Sequence, residues 1–155
     1  MERISLLNGK LCPLLLQLPP AFEYRHLDLL KDFLLSLPKG YHFVGEVRNK
    51  KLLENSLYSL LRKNNVALII IDHPFLPELS VTTSDFTYIR WEGVRGKVKG
   101  TLGKDELDRS NDITRWVEKI EKFLDHSIEV FGYFSKYYSG HPPSNVAQLL
   151  SQLQR

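Results

Sequence analysis

Val-Ala-Leu-Ile-Ile-Ile-Asp, residues 66–72, is a run of six apolar residues closed by a carboxylate. Val66, Ile69, Ile70 and Ile71 are β-branched, which favours a strand, and the run is too short for an ordinary helix. A strand that is apolar on both faces needs cover on both. Parallel sheets flanked by helices provide that cover, so this one segment points to an α/β protein.

The flanking sequence repeats the arrangement in both directions. Upstream, Asn49 offers a cap to a helix carrying Leu53, Leu57, Leu60 and Leu61, which closes near Asn64 and Asn65. Before it, residues 41–48 read as a strand. Residues 24–37 carry Leu27, Leu30, Phe33, Leu34 and Leu37 at helical spacing and stop at Pro38-Lys39-Gly40. Residues 11–18 form another nearly continuous apolar run, halted by Pro19-Pro20, and read as a strand buried on both faces.

Downstream, His73-Pro74 opens a proline-containing connection to about Ser84, too short and broken for a full crossover helix. Residues 86–92 are a fourth strand, and residues 93–110 a loop with four glycines and the cations Arg95, Lys97, Lys99 and Lys104. In residues 111–125, Ile113, Trp116, Val117, Ile120 and Leu124 line one face of an amphipathic helix. A fifth strand over 128–134 and a helix over 144–153 end the chain. Strands alternating with helices imply parallel pairing, because parallel neighbours need crossover connections. Two architectures satisfy this: an open doubly wound sheet, or part of a (β/α)8 barrel, whose complete form takes about 250 residues.

The 155 residues correspond to one domain, 1–155. An apolar fraction of 43% and a charged fraction of 25% exclude a disordered chain. The net charge of +3 suits an anionic ligand but falls short of a dedicated nucleic-acid binder. Cys12 is the only cysteine, which excludes an internal disulfide and reads as a small buried hydrophobe in a strand. No apolar run reaches the ~18 residues of a membrane span, and the opening residues lack a secretory pattern. A soluble cytoplasmic protein without membrane association is expected.

In βα folds ligands sit at the carboxyl ends of the strands. Those ends carry Gln17, Glu46 with Arg48, Asp72 with His73, Arg90 with Glu92, and Tyr133 through Lys136. Alternation places Glu46 and Arg48 on one face, either as functional groups or as an ion pair filling that face. Asp72 is either a base, metal ligand or substrate anchor, or a cap for His73-Pro74. Arg90 suits bidentate capture of phosphate or carboxylate, unless a neighbouring carboxylate neutralises it. Trp91 and Trp116 read as core. His73, His141, Glu46 and Asp72 are metal-ligand types, but no HxH or HxxxH spacing groups them, so no metal ligand is assigned. The 93–104 loop lacks both GxGxxG and P-loop spacing, and no cofactor is indicated. No Gly-x-Ser-x-Gly elbow is present and Cys12 has no activating partner.

Five segments, in order, resemble one known family. They are Pro13-Leu14-Leu15-Leu16-Gln17-Leu18-Pro19-Pro20, Gly45-Glu46-Val47-Arg48, Ile70-Ile71-Asp72, Tyr88-Ile89-Arg90-Trp91-Glu92-Gly93, and Tyr133-Phe134-Ser135-Lys136 followed by Gly140-His141-Pro142-Pro143-Ser144-Asn145. Together they are similar to the second half of the domain of unknown function 72 (YecE-like) family, which has a TIM-barrel fold. The resemblance implies a partial TIM barrel of about five strands, equivalent to strands four to eight. The family pattern often has Gly where Cys12 stands and Phe-His-Gly where Trp91-Glu92-Gly93 stands. Five strands do not close a barrel, so the resemblance implies a partner chain supplying further strands, a homo-oligomer, or a fragment.

The expected site is therefore the strand ends. Glu46, Asp72 and His141 are the candidate catalytic residues. Gln17, Arg48, Arg90, Tyr133 and Lys136 are the candidate ligand-binding residues, facing an anionic small molecule or a nucleic acid. An enzyme, or the remnant of one, acting on a phosphate-containing substrate is one reading. The alternatives are a non-catalytic nucleic-acid- or protein-binding module, and one part of a split barrel.

Overall fold

The computed structural model describes residues 6, 7, 10–74, 78, 79, 81–101 and 103–154. Strands β1 (Leu14–Leu18), β2 (Phe43–Val47), β3 (Val66–Leu68), β4 (Ile70–Asp72), β5 (Phe86–Trp91) and β6 (Glu129–Phe134) are interleaved with helices. These are α1 (Leu27–Leu35), α2 (Asn55–Lys63), α3 (Ser110–Asp125), α4 (Lys136–Ser139) and α5 (Pro142–Leu153). The fold is mixed α/β. Two three-stranded sheets, ordered β1-β2-β3 and β4-β5-β6, are parallel throughout.

The expectation of one strand over 66–72, and hence of about five strands, is corrected to two strands and six. The physical reason is a change of partner at Ile69. β3 pairs with β2, and the Ile69 N–H still donates to Gly45 O at 3.0 Å. The opposite edge of β3 is satisfied by one side chain: Thr83 Oγ1 accepts from Leu68 N and donates to Val66 O, both at 2.7 Å. One residue later β4 pairs with β5 instead. Thr83, 3% exposed, thus stands in for a neighbouring strand where backbone partners would otherwise be missing.

Each sheet carries its own helical layer. Phe43, Val47, Val66 and Leu68 pack against Leu30 and Leu34 of α1 and Leu57 and Leu61 of α2. Ile70, Ile89, Trp91 and Phe134 pack against Ile113, Trp116, Val117 and Ile120 of α3, with Tyr138 and Leu149. Full burial of each such side chain contributes about 1.5–3 kcal/mol. Trp91 and Trp116 meet edge to face at 5.6 Å, as core residues. The other face of both sheets is shared. Val44, Ala67, Ile69, Ile71 and Phe86 form one cluster there, flanked by Tyr88 and Phe131.

Four sequence expectations shift. β1 is not buried on both faces: Leu15 is 42% exposed, because β1 pairs only with β2 and lies at the sheet edge. Cys12 is exposed, since it precedes the first paired residue of β1. Asn49 caps a single 3-10 turn, accepting from Lys51 N at 3.1 Å, and α2 begins only at Asn55. α5 begins at Pro142 rather than Ser144, because proline fits the first turn of a helix, where no N–H is needed. Among the described residues, no helix is long and apolar enough to cross a membrane.

Candidate functional site

Alternation along β2 sends Val44 and Glu46 to the shared inner face while Phe43 and Val47 join the helical layer. Glu46 is 2% exposed and its carboxylate is fully engaged. Oε1 accepts from Gln17 Nε2 at 2.7 Å and from Arg48 Nε at 2.8 Å; Oε2 accepts from Arg90 Nη1 at 2.6 Å. Arg90 also pairs through Nε with Glu92. Gln17 and Glu46 are register partners on β1 and β2, whereas Arg90 reaches across from the second sheet. Burial of one carboxylate among three donors satisfies the condition for keeping a charge inside a protein.

Above this cluster lies a cavity of about 460 Å³, lined by Glu46, Arg48, Ile71, His73, Arg90, Glu92 and Arg95. Arg48 and Arg90 both line it, Arg48 with its Nε held by Glu46 and Arg90 with Nη1 held by Glu46 and Nε by Glu92. Three arginines against two glutamates give the lining an excess of positive charge. His73 adds an imidazole to the lining.

Asp72 occupies the opposite face. It follows Ile70 into the helical layer, where its Oδ2 accepts from Trp116 Nε1 at 2.6 Å. It lines a separate cavity of about 310 Å³ with Glu78, Arg109, Asp112, Arg115 and Tyr138; His73 borders both cavities. Burial pushes the Tyr138 hydroxyl well above the usual tyrosine range, and the negative charges of Asp72 and Asp112 add to it. Glu46 and Asp72 therefore do not form one acid–base pair. Alternation runs unbroken through Ala67, Ile69 and Ile71 on the shared inner face, which leaves Asp72, like Ile70, on the helical side.

His141 lines neither cavity. It precedes α5, where its carbonyl accepts from Ser144 Oγ at 2.9 Å. The segment around it clasps the 93–110 loop. Ser139 Oγ lies 2.7 Å from Asp105 Oδ1 and 2.6 Å from the Asn145 side-chain amide, and Ser144 Oγ donates to Asp105. The Ser139 carbonyl accepts from Glu106 N at 2.6 Å and Leu107 N at 3.1 Å. Gly140 makes this approach possible: at φ +112° it adopts a conformation closed to L side chains, and a Cβ would stand 2.8 Å from Lys104 O. Gly93 does the same at the end of β5, where at φ +67° a Cβ would stand 2.1 Å from Tyr137 O.

Of the remaining candidates, Gln17, Arg48 and Arg90 converge on Glu46. Tyr133 is the register partner of Arg90 but is 52% exposed, on the edge strand β6. Lys136 lines neither cavity; its Nζ lies 5.0 Å from the centre of the Tyr137 ring, which Arg95 of the lining also meets. Four residues of the lining stand outside the candidates favoured from sequence: Ile71, His73, Glu92 and Arg95. Glu92 was legible as the next inward position after Arg90. Arg95 belongs to a glycine-rich loop, whose path no periodicity reveals.

The family described as "Protein of unknown function DUF72" matches residues 1–155. The chain belongs to the DUF72 family. Among curated proteins, none matches the sequence. The chain is similar in structure to a DUF72 family protein from Thermotoga maritima MSB8, with a TM-score of 0.77 and 21% identity over 99% of this chain and 64% of that one. A DUF72 family protein from Enterococcus faecalis V583 gives 0.75 and 20% identity over 95% of this chain and 60% of that one. A second crystal structure from Enterococcus faecalis V583 gives 0.74 and 18% identity, covering 95% and 62%. The present chain thus spans under two thirds of these DUF72 structures, and at such identities the likeness is one of fold.

Proposed function

We propose that the protein binds a phosphate-bearing anionic ligand in the cavity above Glu46 and acts on it as an enzyme. The observation that carries this reading is the orientation of Arg48 and Arg90 by one buried carboxylate. Glu46 uses both oxygens to hold them, so two guanidinium groups are fixed in the cavity lining, Arg48 through Nε alone and Arg90 through Nη1, while Glu46 itself is a positioning residue. Guanidinium forks match the geometry of phosphate oxygens, and preorganised forks lose less entropy on binding. His73 and Glu92 are the cavity residues suited to moving a proton, in place of Asp72 and His141.

The test is calorimetric titration with inorganic phosphate, followed by turnover on a panel of phosphoesters. Arg48→Ala should weaken phosphate binding at least tenfold, and His73→Asn or Glu92→Gln should abolish turnover. Failure of the wild-type protein to bind phosphate sinks the reading.

We further propose that the two sheets are adjacent sectors of one TIM-barrel wall, equivalent to strands four to eight of the family fold. A shared inner face and a partner change at Ile69 without a break in the chain support this. β1 and β6 each pair on one side only, and the longer DUF72 structures suit a further block of βα units between them. A partner chain, a second copy of this chain or further sequence of a longer protein would supply that block. Light scattering on the purified chain checks it: a stable monomer argues against self-association.

A further inference from the structure

The cations at the cavity differ in one respect. Arg48 and Arg90 are neutralised by Glu46 and Glu92. Arg95, in the lining, and Lys136, which meets the same tyrosine ring, form no ion pair among the described residues, and both are exposed. They share one half-buried ring: Arg95 Cζ lies 5.1 Å from the Tyr137 centroid and Lys136 Nζ 5.0 Å. The shared ring ties Lys136 to Arg95, and through Arg95 to the cavity that it lines.

The loop bearing Arg95 is also held in place rather than left to solvent. Glu106 accepts from Lys99 N and Thr101 N at 2.7 Å each, and Glu106 N and Leu107 N are bonded to Ser139 O. Val98, 4% exposed, anchors its near end. Lys97, Lys99 and Lys104 of the same loop are exposed, also without ion pairs among the described residues. An ordinary solvated loop would carry scattered charges and few backbone anchors.

We infer that Arg95, Tyr137 and Lys136 form a second anion subsite, so that the ligand carries at least two linked phosphates. This rests on the reading of the Glu46 cavity as an anion site and names the class of ligand for it. One phosphate meets the Arg48 and Arg90 guanidinium groups; the next meets Arg95 and Lys136 beside Tyr137. Linked phosphates occur in anhydrides such as pyrophosphate and in the diester chain of an oligonucleotide, and both present the same spaced negative charge.

The experiment compares three probes by titration calorimetry: inorganic phosphate, pyrophosphate and a short oligodeoxythymidylate. Wild-type protein should bind pyrophosphate or the oligonucleotide at least tenfold tighter than inorganic phosphate. In Arg95→Ala/Lys136→Ala that ratio should fall to near one, whereas Arg48→Ala should weaken every probe and preserve the ratio. A gain confined to pyrophosphate identifies an anhydride; a larger, steeply salt-dependent gain with the oligonucleotide identifies a diester chain. Equal affinity for all three probes, or a ratio that survives the double substitution, overturns the inference. Absence of inorganic phosphate binding, with pyrophosphate binding that depends on Arg95 and Lys136 but not on Arg48, overturns the cavity reading and leaves the second subsite standing.

Discussion

Glu46 of the first sheet and Arg90 of the second meet at 2.6 Å, although β2 and β5 are not paired strands. This contact joins the two sheets on their inner face and makes one buried carboxylate answerable for two arginines.

Glu46→Ala should therefore be costly. It leaves Arg48 without its counter-charge and Arg90 with Glu92 alone, a loss of one partner of a buried pair that costs about 3–5 kcal/mol. The half-exposed Arg48 will recover part of that through solvent, so a loss of about 3 kcal/mol is expected, read by urea unfolding. Glu46→Gln, which keeps shape and one acceptor, should lose less.

Asp72→Ala removes the acceptor of the Trp116 indole at 2.6 Å. Because Trp116 is 1% exposed, the orphaned N–H costs about 1–3 kcal/mol. Thermal unfolding gives the magnitude, and an altered tryptophan emission spectrum shows that the indole environment has changed. An unaltered spectrum with unchanged stability would mean that Asp72 is not held by the indole.

Gly140→Ala tests the clasp between the last strand end and the basic loop. The φ of +112° and the 2.8 Å approach to Lys104 O leave no room for a methyl group. A loss of about 1–3 kcal/mol is expected, with faster hydrogen exchange at Glu106 and Leu107, whose N–H groups donate to Ser139.

The same loop should respond to acid. Hydrogen bonds from the Thr101 and Lys99 backbone N–H groups hold the Glu106 carboxyl below its ordinary value. A folded value below the unfolded one means that the contribution is complete above the ordinary glutamate range. It is lost as pH falls through the lower, folded value. Exchange protection at Lys99 and Thr101 should therefore persist at pH 5 and disappear in stronger acid, and Glu106→Gln should flatten that profile.

Much of the architecture was legible because burial leaves a periodic trace. The helical spacing of Ile113, Trp116, Val117 and Ile120 marks α3, and the apolar run 66–72 marks parallel strands under cover. The inward row of Gln17, Glu46, Arg48 and Arg90 was legible too, since alternation alone puts charge at the strand ends. His141 and Asp72 were drawn to the same place by proximity to strand ends, but each is engaged elsewhere, by a turn and by an indole.

The sequence by itself determined the class of fold, the helix faces and the residue types at the strand ends, all of which depend on neighbours within a few positions along the chain. Only the tertiary structure decided which strand pairs with which. Thr83, fifteen residues after Leu68, satisfies the edge of β3 and lets the partner change at Ile69. That change brought Arg90 of the second sheet, and Arg95 of the loop that follows it, to the same cavity as Glu46 of the first. Such contacts depend on long-range hydrogen bonds that leave no period in the sequence.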